Sequence, residues 1–189
     1  MISSILLAAG QSKRMNGENK LTKEFKGSSL IQHSIRNILA SSVDELIIVV
    51  GYQKEIIEKL IDKNEKIKFT FNKDFESGMA SSIKTGLNHL SEKTKAFFIC
   101  LADMPMVNKD IYNQIIKFRD KNEIIVPTYK GQQGNPILFS KSMKERIMKV
   151  QEDIGAKMIL ESNKDKVFNL ETNNVSVTKN FNTKESFSS

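Results

Sequence analysis

An α/β domain built on a mostly parallel sheet is predicted by three features of the chain. The apolar run Ile5-Leu6-Leu7-Ala8-Ala9 is stopped by Gly10, which reads as a buried strand entering a loop. Short apolar runs then alternate with segments whose apolar residues recur at three- and four-residue steps. Such strand and helix alternation implies right-handed crossovers between parallel strands. Ala96 to Leu101 is apolar on both faces, the pattern of a strand at the centre of a sheet covered from both sides.

The elements follow in order. After the loop from Gln11 to Lys20, Ser28-Ser29 offers a cap for a helix marked by Leu30, Ile31, Ile35, Ile38 and Leu39. Glu45 to Val50 reads as a strand ended by Gly51. Ile56, Ile57, Leu60 and Ile61 mark a second helix, and Ile67 to Phe71 a strand with alternating sides. A third helix is expected to start near Met79 to Ser81 and to continue through Ile83, Leu87 and Leu90. Asp103-Met104-Pro105 breaks the central strand, and Ile111, Ile115, Ile116 and Phe118 mark a fourth helix running to about Asp120. Glu123 to Val126 is a strand, and Lys130-Gly131-Gln132-Gln133-Gly134 reads as a tight connection into Pro136 to Phe139. That hairpin adds an antiparallel strand to the sheet. Ser142 to Val150 and Ile154 to Leu160 are expected short helices, and Val167 to Leu170 and Val175 to Val177 late strands. With no internal repeat, linker or boundary in view, residues 1–189 are expected to form one domain whose residues 186–189 fray.

Size and composition narrow the function classes. The 189 residues suffice to bury a substantial core, and 39% hydrophobic with 27% charged residues is ordinary for a globular protein. No apolar run approaches the ~20 residues of a membrane span. Ile2 to Ala9 lacks the basic leader of a signal peptide, so a cytoplasmic location is expected. The single cysteine, Cys100, allows neither an internal disulfide nor a thiolate metal cage, and within Phe97-Phe98-Ile99-Cys100-Leu101 it reads as a small buried apolar residue. The net charge of +7 is compatible with nucleic acid, an acidic membrane surface or a polyanionic small substrate. Because the lysines are scattered among acids and no aromatic-interleaved basic stripe occurs, neither a nucleic-acid nor a membrane partner is expected. His33 and His89 have no partner ligand at metal spacing and read as ordinary helix residues.

The first loop carries Lys13, Arg14 and Lys20 beside Gly10, Ser12 and Gly17, a phosphate-handling composition of cations and exposable backbone N–H groups. A solvated basic turn has the same composition. Neither the G-x-x-x-x-G-K-S/T nor the G-x-G-x-x-G fingerprint is present, which disfavours a P-loop ATPase and a plain dinucleotide-binding domain. Asp103 stands where the central strand ends, the carboxyl edge at which open parallel sheets place their ligands; turn formation or helix capping would also explain an aspartate there.

The opening string LLAAGQSKRM followed by NGENKL resembles that of the MobA/MocA-like nucleotidyltransferases, enzymes that join a nucleotide to the molybdenum cofactor or to other phosphorylated acceptors. Within that family it looks most like the molybdenum cofactor cytidylyltransferases. The resemblance runs along essentially the whole chain and implies a single Rossmann-like, three-layer α/β domain of the glycosyltransferase-A-like kind. It implies that Leu7, Ala8, Ala9, Gly10, Ser12, Lys13, Arg14 and Lys20 bind the nucleotide, with Lys13 and Arg14 on the β and γ phosphates and Lys20 on the α-phosphate side. Leu101-Ala102-Asp103-Met104-Pro105 resembles the family's strand-end motif, in which the aspartate holds Mg²⁺ (Mn²⁺ as an alternative). Arg14, Lys20 and Asp103 are then the catalytic set. Asn180-Phe181-Asn182-Thr183 resembles the closing N-x-N-T string, in which Asn182, with Asn180 behind it, completes the metal shell.

Two further regions resemble family strings. Gly78-Met79-Ala80-Ser81-Ser82-Ile83 is similar to G-M-S-S-S-L, so Gly78, Ser81 and Ser82 are expected at the base and ribose, although helix capping alone would explain small hydroxyl residues there. Gly131-Gln132-Gln133-Gly134-Asn135-Pro136 and Glu152-Asp153-Ile154-Gly155-Ala156-Lys157 are similar to the acceptor strings G-x-R-G-H-P and G-D-x-G-A-R, which implies Gln133, Asn135, Pro136, Asp153 and Lys157 at the acceptor, although capping of the helix from Ile154 would equally explain Asp153. Gln133 and Lys157 stand where the family has arginines, so the bidentate anion grip is lost twice. Leu7-Ala8-Ala9-Gly10 resembles the L-A-A-G of cytidylyltransferases, against L-A-G-G in guanylyltransferases, and the Ala9 methyl narrows the pocket toward a pyrimidine. The expectation is CTP as substrate, molybdopterin as acceptor and a molybdoenzyme of the xanthine dehydrogenase type as partner. A GTP-dependent enzyme, a transferase acting on a sugar or polyol phosphate and a non-catalytic cofactor carrier are the alternatives.

Overall fold

Strand β1 (Ile2–Ala8) is buried on both faces, and the rest of the chain supplies what those faces need. The structure, a computed structural model, describes residues 1–12, 18–149 and 159–181. Strands β2 (Glu24–Phe25) and β3 (Ser28–Ser29) form a small hairpin that leads into helix α1 (Leu30–Leu39). There follow β4 (Glu45–Val50), α2 (Lys54–Lys59), β5 (Ile67–Phe71), α3 (Met79–Asn88), β6 (Ala96–Leu101) and α4 (Lys109–Ile116). The C-terminal part holds β7 (Ile124–Tyr129), β8 (Gln132–Gln133), β9 (Ile137–Ser140), α5 (Lys144–Met148) and β10 (Val167–Glu171).

The main sheet runs β10-β7-β9-β6-β1-β4-β5, with β8 paired to β7. The ladders of β1 with β4 and β6, of β4 with β5 and of β7 with β10 are parallel. Those of β9 and β8 are antiparallel, as the hairpin reading expects. β6 occupies the middle of the order, in keeping with its two-faced apolar sequence.

Alternation along the strands sends their side chains into two cores. Leu6, Ile48, Phe98 and Cys100 pack with Ile31, Ile35 and Ile38 of α1 and Ile111 and Ile115 of α4. Ile5, Val49, Phe97 and Ile99 pack on the opposite face with Ile83 and Leu87 of α3 and Met143 and Ile147 beside and within α5. The result is a three-layer α/β/α architecture. Helix α1 begins at a capping box in which Gln32 Oε1 accepts from the Ser29 N–H at 2.9 Å. Gly86 lets α3 approach β1 closely, since a methyl there would run into the fully buried Ile5 side chain. Gly86→Ala is therefore expected to cost about 1–3 kcal/mol, the scale of overpacking a filled core, read as a lower denaturant midpoint. An unchanged midpoint would refute the close approach.

Four expectations need correction. Val175 to Val177 is not a strand but the start of a 3-10 turn, Val175–Thr178. Asn174 Oδ1 accepts from the Ser176 N–H at 3.0 Å and starts the turn, and the Val177 carbonyl is engaged by the Asn135 N–H at 2.8 Å. β7 continues through Pro127 to Tyr129, past Val126. The tight turn at Lys130 (φ 51°) and Gly131 (φ 76°) leads into β8 rather than directly into Pro136 to Phe139; left-handed residues at both positions match the twist of a two-residue hairpin. The chain then passes a cis Asn135–Pro136 bond into β9. Asp103-Met104-Pro105 does end the central strand, but α4 stops at Ile116, short of Asp120. Most of the helix expected over Ile154 to Leu160, and the tail at 186–189, lie outside the described residues.

Cys100 is 1% exposed and lies 3.1 Å from Ser4 Oγ. Burial pushes its thiol up to about 12, so it stays protonated and is no nucleophile at neutral pH. Among the described residues no helix is long and apolar enough to cross a membrane.

Candidate active site

The sheet order turns outward in both directions from β1: the chain moves from β1 to β4 and β5 on one side, then crosses to β6 on the other. Such a switch point opens a crevice beyond the carboxyl ends of the strands. A cleft of about 340 Å³ lies there, lined by Leu7, Ala8, Ala9 and Gly10 after β1, Leu101 and Asp103 after β6, Gly78, Met79 and Ser82 at the start of α3, and by Lys20, Leu21, Phe75 and Asn180.

Lys20 and Asp103 meet inside it, with Lys20 Nζ 2.5 Å from Asp103 Oδ2. Both side chains are largely buried, at 19% and 12% exposure. Local structure aims each of them. The Lys20 N–H donates to Ser12 Oγ at 3.1 Å, which closes the neck of the first loop. Asn19 Oδ1 caps the following turn by accepting from the Leu21 N–H at 3.1 Å, and Leu21 anchors that turn in the core. Around Asp103 the backbone is pinned twice: Ser34 Oγ donates to the Ala102 carbonyl at 3.0 Å, and the Phe181 N–H donates to the Asp103 carbonyl at 2.9 Å. That second bond carries Asn180 to the cleft wall.

The opposite rim is built by Gly78, whose φ of 106° is one that side-chain-bearing residues rarely adopt. Ser81 Oγ donates to the carbonyls of Gly78 and Asp74 at 2.8 and 2.9 Å, and Asn72 Nδ2 donates to Ser81 and Ser82 at 2.8 and 3.0 Å. Ser81 thus organises the helix start, while Ser82 and Gly78 face the cleft. Gln11 Nε2 donates to Glu76 Oε1 at 2.7 Å and ties the first loop to this rim.

Of the residues expected at the nucleotide, Leu7, Ala8, Ala9, Gly10, Lys20, Gly78 and Ser82 line the cleft together, as does Asp103. Ser12 accepts from the Lys20 N–H, and Ser81 donates to the Gly78 carbonyl and ties the first turn of α3 to the loop before it. Lys13, Arg14, Asn182, Asp153 and Lys157 lie outside the described residues. On the acceptor side, the register Ile99↔Ile137 sets Asn135 and Pro136 beside the carboxyl end of β6. Gln133 is turned away: its Nε2 donates to Asn169 Oδ1 of β10 at 2.9 Å. Phe75 lines the cleft without belonging to any of these strings, and Met79 lines it from within the Gly78 to Ile83 string, where only Gly78, Ser81 and Ser82 are expected at the nucleotide; an apolar residue in a loop carries no periodic signal.

Among the described residues no group of three or more His, Cys, Asp and Glu gathers to hold a metal. The cleft instead offers hard oxygen donors from Asp103 and Asn180, with a cationic ammonium already seated on the carboxylate. That suits Mg²⁺, which binds through one or two carboxylates together with substrate phosphates and water.

This fold, with its cleft at the switch point and its lysine–aspartate pair, defines an enzyme of the nucleotidyltransferase class. The MobA-like NTP transferase domain model matches residues 4–167. The chain belongs to that family. Probable molybdenum cofactor guanylyltransferases of Methanosarcina mazei and Methanosarcina acetivorans are each 29% identical, over 79% and 68% of this chain. The matched stretches span 68% and 57% of those two relatives. The crystal structure of Rv0371c from Mycobacterium tuberculosis H37Rv superposes with a TM-score of 0.87 over 99% of this chain and 95% of that one at 21% identity. A manganese complex of the same protein superposes at 0.81, over 100% and 98% of the two chains at 18% identity. Both show the shared fold.

Proposed function

We propose that this chain transfers a nucleotidyl group from a nucleoside triphosphate to the phosphate of molybdopterin and releases pyrophosphate. The observation that carries the reading is the contact of Lys20 with Asp103 within the cleft. It sets a phosphate-binding cation and a cation-binding carboxylate within reach of one triphosphate. An oxygen of the acceptor phosphate attacks the α-phosphorus, and the bond to the bridging oxygen of pyrophosphate breaks. Such transfers are accelerated chiefly by positioning and by neutralising developing charge. Lys20 meets the α-phosphate, Gly10 leaves open space at the cleft mouth for the phosphate chain, and Lys13 and Arg14 hold the β and γ phosphates. A divalent cation on Asp103, with Asn180 or Asn182 adding oxygen donors, supplies charge neutralisation when bound. The manganese complex of the structural relative supports use of such an ion, Mg²⁺ or Mn²⁺.

For the base, GTP is the better supported substrate, because both Methanosarcina relatives are named guanylyltransferases. The CTP expectation rests on the Ala9 methyl. Ala9 lines the cleft but is only 3% exposed, and its Cβ lies 2.8 Å from where a Gly51 Cβ would be. With so little of it exposed, its methyl takes little room from the cleft. Cytidylyl transfer is the second reading, favoured by the Leu7-Ala8-Ala9-Gly10 string. Titrating the purified protein with GTP and CTP in the presence of Mg²⁺ separates the two. GTP is expected to bind at least about tenfold tighter, one well-made polar contact's worth of discrimination, and tighter CTP binding would reverse the assignment.

A further inference from the structure

The main sheet ends at β5, which among the described residues pairs with β4 alone. Ile67-Lys68-Phe69-Thr70-Phe71 run in unbroken register with Leu46 to Val50, so neither a bulge nor a proline spoils this edge for a further strand. Nor does its lysine guard it, because Lys68 Nζ is drawn to 2.7 Å from Glu45 Oε1 on the neighbouring strand. Parallel pairing uses alternate residues: the Lys66 carbonyl accepts from the Leu46 N–H and the Asn72 N–H donates to the Val50 carbonyl, both at 2.8 Å. Ile67, Phe69 and Phe71 therefore turn their main-chain groups outward, where the Ile67 N–H is taken up by the Asn64 carbonyl at 3.0 Å. The side chains of these three residues share one face, the one on which Ile67 packs against the core beneath α1 and α2. Phe69 and Phe71 are 39% and 48% exposed there, and Ile56 of α2 is 46% exposed. The strand at the opposite edge, β10, carries no large apolar residue so exposed.

We infer that this edge binds a second copy of the chain, the two β5 strands pairing antiparallel about a two-fold axis at Phe69 and joining the two sheets edge to edge. In that register Phe69 lies opposite Phe69 of the second copy and Ile67 opposite Phe71, so apolar side chains meet apolar ones, while Lys68 lies opposite Thr70. The Phe69 N–H donates to the Phe69 carbonyl of the other copy, and the Phe71 N–H to the Ile67 carbonyl, each bond being made twice by symmetry. The flanking charges agree with this pairing. Exposed Glu65 before the strand and exposed Lys73 after it come to the same end of the joined strands, once on each side of the axis. An axis at Lys68 would instead set two ammonium groups opposite each other, and an axis at Thr70 would set Ile67 against Lys73; both are poorer cross-strand pairs. The nucleotide clefts lie beyond the carboxyl ends of the strands and would open at opposite ends of the dimer, so the pairing is independent of the reaction proposed for them.

Analytical ultracentrifugation of the purified full chain reads the pairing. The wild type is expected to be dimeric at about 100 μM, a concentration suited to a small, strand-sized interface. Phe69→Lys places two ammonium groups at the axis and is expected to be monomeric there, with its circular dichroism spectrum unchanged. The flanking charges give a second test that does not touch the strand. Glu65→Lys and Lys73→Glu are each expected to raise the dimer dissociation constant about tenfold, because symmetry turns one substitution into two repulsive pairs. The double variant, with both charges exchanged, is expected to return to within about threefold of the wild type, as a cross-strand pair requires. A monomeric wild type would overturn the inference and leave the edge to some other occupant. A folded Phe69→Lys variant that stays dimeric would place the contact on another face, and single charge variants without effect, or a double variant that does not recover, would overturn the register.

Discussion

Replacing Asp103 with alanine slows nucleotidyl transfer at least about a hundredfold, the usual cost of a lost transition-state electrostatic contact, and leaves the fold in place. The two effects separate because different atoms of the residue carry them. The Asp103 carbonyl, not its carboxylate, accepts the Phe181 N–H, so the link between the β6 loop and the C-terminal segment survives the substitution. Its carboxylate faces the cleft and holds Lys20. Removing it leaves an ammonium that keeps 19% side-chain exposure and can be hydrated, so the stability loss is small beside the kinetic one. Binding of Mn²⁺ with the nucleotide, followed by electron paramagnetic resonance, is expected to weaken in parallel with turnover, while the thermal midpoint moves by no more than a few degrees. Near-wild-type rates in this variant would mean that the chemistry occurs elsewhere.

Lys20→Ala is expected to slow the reaction by a similar factor of about a hundred, with an opposite signature toward the metal. In the structure the ammonium lies 2.5 Å from Asp103 Oδ2, one of the oxygens that would hold a divalent ion in the proposed reaction. Removing the lysine deletes a cation that opposes metal entry while nucleotide is absent, so free Mn²⁺ binds the variant more tightly than the wild type. Turnover still falls, because the α-phosphate loses its fixed positive charge. The backbone role of the residue persists, since the N–H that bonds Ser12 Oγ and the cap made by Asn19 are untouched. Weaker Mn²⁺ binding in this variant would show that Lys20 assists the metal rather than competing with it.

The elements themselves follow from local pattern. Ile31, Ile35 and Ile38 on α1, and the two-faced run Phe97 to Leu101 on β6, declare their periods within a few residues, and the structure places both in the expected layers. Val175 to Val177 misled because β-branched residues favour strands only where a partner strand is free; here Asn174 starts a turn and the Val177 carbonyl meets Asn135. The Ser81 hydroxyl illustrates the same limit. A small hydroxyl at a helix start fits ligand binding and capping alike; here the Ser81 hydroxyl donates to the Gly78 and Asp74 carbonyls, tying the first turn to the loop before it.

By itself the amino-acid order determined the α/β class, the glycine-ended first strand, the lysine at position 20 and the aspartate at the end of the central strand, because each is written in contiguous residues whose burial and backbone preferences are local. What only the tertiary structure decided is which of them meet. Lys20 and Asp103 are 83 positions apart, Asn180 reaches the same cleft through the neighbouring Phe181 N–H, and Gln133 is drawn off to Asn169. These outcomes depend on the order of strands in the sheet and on the crossing of the chain from β5 to β6, long-range pairings that no window of sequence contains.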